Sequence, residues 1–222
     1  MTVPPSGLTE LQSRVLELLA GIDPPWTLTG GAALVGIHGI DRMTRDLDLF
    51  FHEQAQLGAV PDEVAQRLRS AGLEVAGLQS SEAFRSLRVT DGDESVVVDL
   101  VADPVEVIEP PTLVEWRTVS ILADTAHEIL VNKLCSLVHR SELRDLADVR
   151  ALLSDGGDLE TALGNAPRKD GGFSPLTLCW VLRDLAIEPM AELAGWGSDQ
   201  TRELTSFRDE LVARVMDLAR PD

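Results

Sequence analysis

Arg42-Met43-Thr44-Arg45-Asp46-Leu47-Asp48-Leu49-Phe50 is the stretch on which the reading of this chain turns. Along a strand, successive side chains alternate between faces, so Asp46 and Asp48 share one face while Leu47, Leu49 and Phe51 share the other. The apolar face calls for a core behind it. The acidic face holds two carboxylates that repel each other. Water relieves that repulsion on an ordinary amphipathic edge strand, and a divalent cation relieves it at a metal site. Oxygen ligands of this kind suit magnesium or manganese.

Two further stretches bear on the choice. Ser95-Val96-Val97-Val98-Asp99-Leu100-Val101 reads as a strand with Asp99 in line with Val97 and Val101. A carboxylate there must reach water at a strand end or join a charged site, because leaving it unpaired is costly. If this strand lies beside residues 46–51, Asp99 becomes a third carboxylate facing the same metal; Asp103 suits a turn better. Upstream, Leu28-Thr29-Gly30-Gly31-Ala32 reads as a strand running into a helix. Backbone N–H groups exposed at such a glycine pair attract phosphate, although a lone Gly-Gly also makes a tight turn.

Outward from these segments the first half mixes strands and helices. Helical spacing covers residues 8–20, 31–38 and 61–70; strands are expected at 26–29, 47–51, 73–78, 84–90, 95–101 and 117–122. From Asp124 the pattern is helical. Asp124-Thr125 can cap a helix to Arg140, and others are expected at 142–153, 176–186 and 199–219, with a Gly/Pro-rich break at 164–175. The fold class is α+β: an N-terminal domain over 1–122 with a mixed sheet and helices, then an all-α domain over 123–222.

Composition limits the partners. The 222 residues carry 19 basic and 37 acidic side chains, a net charge of −18. That balance argues against a broad nucleic-acid-binding surface, so a polyanion must be met by a local basic patch or by metal ions. No apolar run is long enough to span a bilayer. The opening MTVPPSGLTE lacks a basic segment and an apolar stretch, so secretion by a signal peptide is not expected. Cys135 and Cys179 make no disulfide framework or zinc pattern. A cytoplasmic protein with no membrane partner is the expectation.

Lysine occurs only at 133 and 169, against seventeen arginines. On a helix over 125–140, Ala126, Ile129, Leu130, Leu134 and Leu137 form an apolar stripe with Lys133 in its middle and Arg140 on the same side. Glu128, Asn132 and His139 fall opposite, toward solvent. A lysine within such a stripe either snorkels or points into a charged site, where its compact ammonium differs from a guanidinium. On the next helix, Asp145 or Asp148 can pair with it. The four tryptophans, Trp26, Trp116, Trp180 and Trp196, are expected in the core or between domains.

Together these motifs resemble the nucleotidyltransferase superfamily. The order of Gly30-Gly31, Arg42-x-Thr-Arg-Asp-Leu-Asp48, Lys133 to Arg140, and Arg144-Asp-Leu-Ala-Asp148 resembles the AbiEii/AbiGii-type toxins of type IV toxin–antitoxin pairs and the mycobacterial MenT toxins. Residues 26–153 carry this likeness; Ala32 stands where a small hydroxyl residue is common. The resemblance implies transfer of a nucleoside monophosphate from an NTP to RNA, at a tRNA 3′ end, blocking translation. It implies Asp46, Asp48 and Asp99 for metal and catalysis, and Gly30, Gly31, Thr44, Arg45 and Lys133 for the nucleotide. Lys133 with Asp148, or Asp145, would be the essential helical pair, and Arg42, Arg140 and Arg144 would meet RNA. A cognate antitoxin is implied, including a kinase-like one acting on Thr44. Two alternatives stand beside it: a small-molecule nucleotidyltransferase of the aminoglycoside type, to which an acidic cleft is suited, and a non-catalytic interaction protein on the same fold.

Overall fold

The computed structural model describes residues 7–220. The expectation about a signal peptide rests partly on residues 1–6, which lie outside them. Two compact units divide after Thr125, three residues beyond the join expected from the sequence.

The first unit is built on one mixed sheet. Its elements are α1 (Glu10–Leu19), β1 (Thr27–Thr29), α2 (Gly30–Gly36), β2 (Asp46–His52), α3 (Val60–Ser70), β3 (Glu74–Ser80), β4 (Phe84–Asp91), β5 (Glu94–Asp103), β6 (Thr112–Trp116) and β7 (Val119–Ala123). The strand order is β3-β4-β5-β2-β1-β7-β6. β2 runs parallel to β5 and β1 parallel to β7, while the remaining neighbours are antiparallel. Thr9 and Gln12 close a capping box that starts α1. Strand periodicity then divides the sheet into two faces. Leu47, Leu49 and Phe51 of β2, with Val96, Val98 and Leu100 of β5, are buried. Asp46, Asp48, Phe50 and His52 on β2 are only half-buried, as are Val97, Asp99 and Val101 on β5.

The second unit is all helical: α4 (Ala126–Arg140), α5 (Leu143–Ser154), α6 (Leu159–Lys169), α7 (Pro175–Asp184), α8 (Ile187–Leu193) and α9 (Ser198–Leu218). α4 packs against α5, α6 and α7, and α9 against α5, α7 and α8. Ile129, Leu130, Leu134 and Leu137 form the buried stripe of α4. No helix among the described residues is long and apolar enough to cross a membrane.

Three elements differ from the sequence reading. β6 pairs with β7 across a hairpin where no strand is expected. α6 occupies much of the expected Gly/Pro-rich break, with Pro167 in its last turn. α8 fills the gap before α9.

Candidate active site

β2 and β5 bring the acids together. In their parallel register Asp48 lies opposite Asp99 and Asp46 opposite Val97, so all three carboxylates belong to the half-exposed face. β4 adds Ser86 opposite Asp99. The Ser86 hydroxyl hydrogen-bonds the Asp99 carboxylate. Asp99 Oδ1 is nonetheless buried without a hydrogen-bond partner. Burial raises the Asp99 carboxyl above its ordinary range, Ser86 opposes the shift, and the charge of Asp46 adds to it.

These residues suit a particular kind of cation site. Among the described residues, no three His, Cys, Asp or Glu side chains are gathered closely enough to hold a metal by themselves. Magnesium does not require such a cage, because it is commonly held by one or two carboxylates together with substrate phosphates. Two acids on one strand beside an orphaned carboxylate oxygen fit that demand.

The glycine pair opens α2 against the same acids. Gly30 has φ +62°, and a Cβ added there would stand 2.3 Å from Asp48 Oδ2. One added at Gly31 would meet the Arg42 guanidinium at 2.9 Å and Thr44 Oγ1 at 3.0 Å. Glycine is therefore needed twice, for its backbone geometry and for the close approach of these side chains. Thr44 Oγ1 donates to the Asp46 carbonyl at 3.3 Å, and the Thr44 carbonyl accepts from the buried Gln12 amide at 3.1 Å. Arg45 is exposed, and its carbonyl accepts from Val97 N–H at 3.3 Å.

The helical unit holds the other residues expected from the sequence. Lys133 Nζ lies 2.8 Å from Asp145 Oδ1 and 2.8 Å from Asp148 Oδ2. Arg140 Nε stands 2.7 Å from Asp145 Oδ2, and a second guanidinium nitrogen 2.9 Å from Oδ1. Both aspartates are buried. Burial disfavours the Lys133 ammonium, but Asp148 and Asp145 outweigh it and raise its pKa. Burial likewise opposes ionisation of Asp145, and Arg140 and Lys133 overcome it, holding the carboxyl low. Lys133 thus meets both candidate acids and does not snorkel, its side chain being 12% exposed. Arg144 is exposed beside them.

Other expectations are corrected. Glu128 does not face solvent: it is fully buried and paired with Lys169 of α6. Asp124, read as part of the cap of α4, is buried, with Oδ1 3.6 Å from His52 Nε2. Trp180 belongs to no core, being 68% exposed.

His52 escaped the sequence reading. Its Nδ1 lies 3.1 Å from Asp103 Oδ2, so the ring sits between two acids. Burial works against its charged form, yet the hydrogen bond to Asp103 and the proximity of Asp124 raise its pKa to about 9. The alternation that links Asp46 to Asp48 extends to His52 and was the available signal.

A family model for the AbiEii toxin, a nucleotidyl transferase of type IV toxin–antitoxin systems, matches residues 14–217. The chain belongs to this family. It is a nucleotidyltransferase, and AbiEii membership implies an NTP substrate and a partner antitoxin. No curated protein matches the chain. Among solved structures it is similar to a candidate nucleotidyltransferase from H. pylori at 18% identity, covering 96% of this chain and 100% of that one with a TM-score of 0.54. It is also similar to JHP933 from Helicobacter pylori at 18% identity, covering 95% of this chain and 96% of that one with a TM-score of 0.53. These two likenesses support the fold, α+β with the nucleotidyltransferase arrangement.

Proposed function

We propose that this AbiEii protein transfers a nucleoside monophosphate from an NTP to a hydroxyl of RNA, at the 3′ end of tRNA, and thereby stops translation. The observation that carries the reading is the acid row, three carboxylates on one half-open face next to a glycine turn. Asp46 and Asp48 would hold magnesium or manganese with Asp99 beside them. Such an ion lowers the cost of charge on the attacking and leaving oxygens.

The chain's own groups then have distinct tasks. Gly30 and Gly31 let Asp48, Arg42 and Thr44 close on the turn whose backbone N–H groups would meet the triphosphate, with Arg45 and Arg42 to balance its charge. The acceptor oxygen bonds to the α-phosphorus as the bond to the β-phosphate oxygen breaks and pyrophosphate departs. Asp99, whose affinity for a proton is raised by its burial, takes the hydroxyl proton. Lys133, with Asp148 and Asp145, is assigned to the transfer machinery on the family resemblance, and Arg140 and Arg144 to RNA contact.

Thr44 is the proposed point of control by a kinase-like antitoxin. A phosphate there adds about −1.5 to −2 charge. It would compete with the triphosphate for Arg42, whose guanidinium shares the surroundings of Gly31 with Thr44 Oγ1. Thr44→Glu should lose most activity and Thr44→Ser keep it.

The net charge of −18 favours one other acceptor, a cationic aminoglycoside. Purified chain with labelled NTPs, tRNA and an aminoglycoside decides between them. Label on tRNA alone supports the proposal; label on the aminoglycoside alone overturns it.

A further inference from the structure

The sheet register places an apolar row directly beside the acid row. Phe84 of β4 lies opposite Val101 of β5, and Val101 lies opposite Phe50 of β2. The neighbouring row on the same face, two residues along each strand, is Ser86, Asp99 and Asp48. The spacing between the rows is therefore roughly 7 Å. Phe84, Val101 and Phe50 are all half-buried, whereas the residues between them in sequence, such as Leu49, Phe51 and Leu100, are sealed in the core. Phe84 and Phe50 stand on the two strands that flank β5, with Val101 between them, and aromatic side chains on one sheet face are a general platform for unpaired nucleobases.

The chemistry of transfer indicates which base belongs there. In an in-line displacement, the attacking hydroxyl approaches opposite the departing pyrophosphate. The glycine turn follows β1, on one side of β2, so the triphosphate lies on that side. The acceptor must then enter over β5 and β4, where Val101 and Phe84 stand. Arg88, exposed on β4 and in register with Val97, supplies a cation on the same face for an acceptor phosphate.

We infer that Phe84, Val101 and Phe50 form the stacking platform for the terminal nucleobase of a polynucleotide acceptor, with Arg88 at its phosphate backbone. This inference rests on the RNA reading of the proposed function. It names the surface that holds the acceptor's end while its hydroxyl reaches the acid row. Leucine keeps the bulk of phenylalanine and removes the π-face; tryptophan keeps the π-face.

The test is steady-state transfer to a single-stranded RNA acceptor by the full chain, with folding of each variant checked by thermal melting. Phe84→Leu and Phe50→Leu should raise KM for the RNA by about 5- to 150-fold, the effect of losing one base–aromatic stack, and leave KM for the NTP unchanged. Phe84→Trp should stay close to wild type. Arg88→Gln, on an exposed position, should reduce the slope of log affinity against log salt by about one phosphate contact. A rise in KM for the NTP alone would hand the platform to the incoming nucleotide and overturn the inference. Unchanged KM values together with an unchanged salt slope would overturn it and leave the RNA reading standing. Failure of the wild-type chain to bind or modify any RNA would remove both.

Discussion

Two groups of aspartates in this chain face opposite electrostatic situations. On the sheet, Asp46, Asp48 and Asp99 share a half-open face, and Asp99 keeps a buried oxygen without a hydrogen-bond partner. In the helical unit, Asp145 and Asp148 are buried, yet Lys133 and Arg140 surround them at hydrogen-bond distance. The helical cluster balances its own charge, two acids against two bases. On the sheet, the partner of Asp99 is the neutral Ser86 hydroxyl. A buried carboxylate oxygen left without a hydrogen bond, as at Asp99 Oδ1, is costly unless a further group completes the site. The helical acids carry their own counter-charges, whereas the sheet acids are the group that the proposed function assigns to a cation.

The largest effect should come from neutralising the sheet acids. Asp46→Asn or Asp48→Asn should reduce nucleotide transfer on the order of 10³-fold or more, because the charge proposed to hold the ion is lost. Without metal, melting temperature should stay level or rise, since a repulsion is relieved. Activity assays paired with melting curves check both parts, and a fall in stability with activity intact would reverse the comparison.

The balanced group should respond in the opposite sense. Lys133→Ala leaves Asp148 and one side of Asp145 buried without their ammonium, and should cost about 3–5 kcal/mol of stability in denaturant unfolding. An unchanged unfolding midpoint would mean that the helical acids do not depend on Lys133.

His52 offers an intermediate case, an imidazole between Asp103 and Asp124. Its folded pKa of about 9 exceeds the ordinary value of 6.5. Its contribution to stability is therefore complete below pH 6.5 and lost as pH rises through 9. The loss should be about 3 kcal/mol at most. His52→Gln should flatten that part of the stability profile, and a profile of the same shape in the variant would assign the pH dependence elsewhere.

The smallest effect concerns the glycine that admits Asp48. Gly30→Ala puts a Cβ at φ +62° and against Asp48 Oδ2. A stability loss of about 1–2 kcal/mol is expected from the backbone alone, with a larger proportional loss of activity as the carboxylate shifts. Melting and transfer rates falling in equal proportion would show that Asp48 had not moved.

What was legible in the sequence follows the range of the interactions. Alternation along 46–51 and 95–101 is local, so the faces of Asp46, Asp48 and Asp99 could be read, and the observed β2–β5 register joins them. Helical spacing placed Lys133 within reach of Asp145 and Asp148 for the same reason. Other features depend on distant partners or obscure local signals. Gly164 and Pro167 disguised α6, although Pro167 falls in its final turn, where a missing N–H is tolerated. With α6 unread, Lys169 was not available to explain why Glu128 is buried. Asp124 meets His52 only because β7 and β2 both flank β1, a pairing no local pattern contains. β6 follows Pro110-Pro111, which reads as loop, and α8 is too short to show a period.

The direct measurement is calorimetric titration of manganese into the full chain saturated with a non-hydrolysable NTP analogue, comparing wild type, Asp48→Asn and Lys133→Arg. The account predicts that Asp48→Asn weakens metal binding at least tenfold while the chain stays folded, and that Lys133→Arg leaves metal affinity near wild type. Equal affinity in wild type and Asp48→Asn would contradict it, because the sheet acids would then not be the seat of the cation.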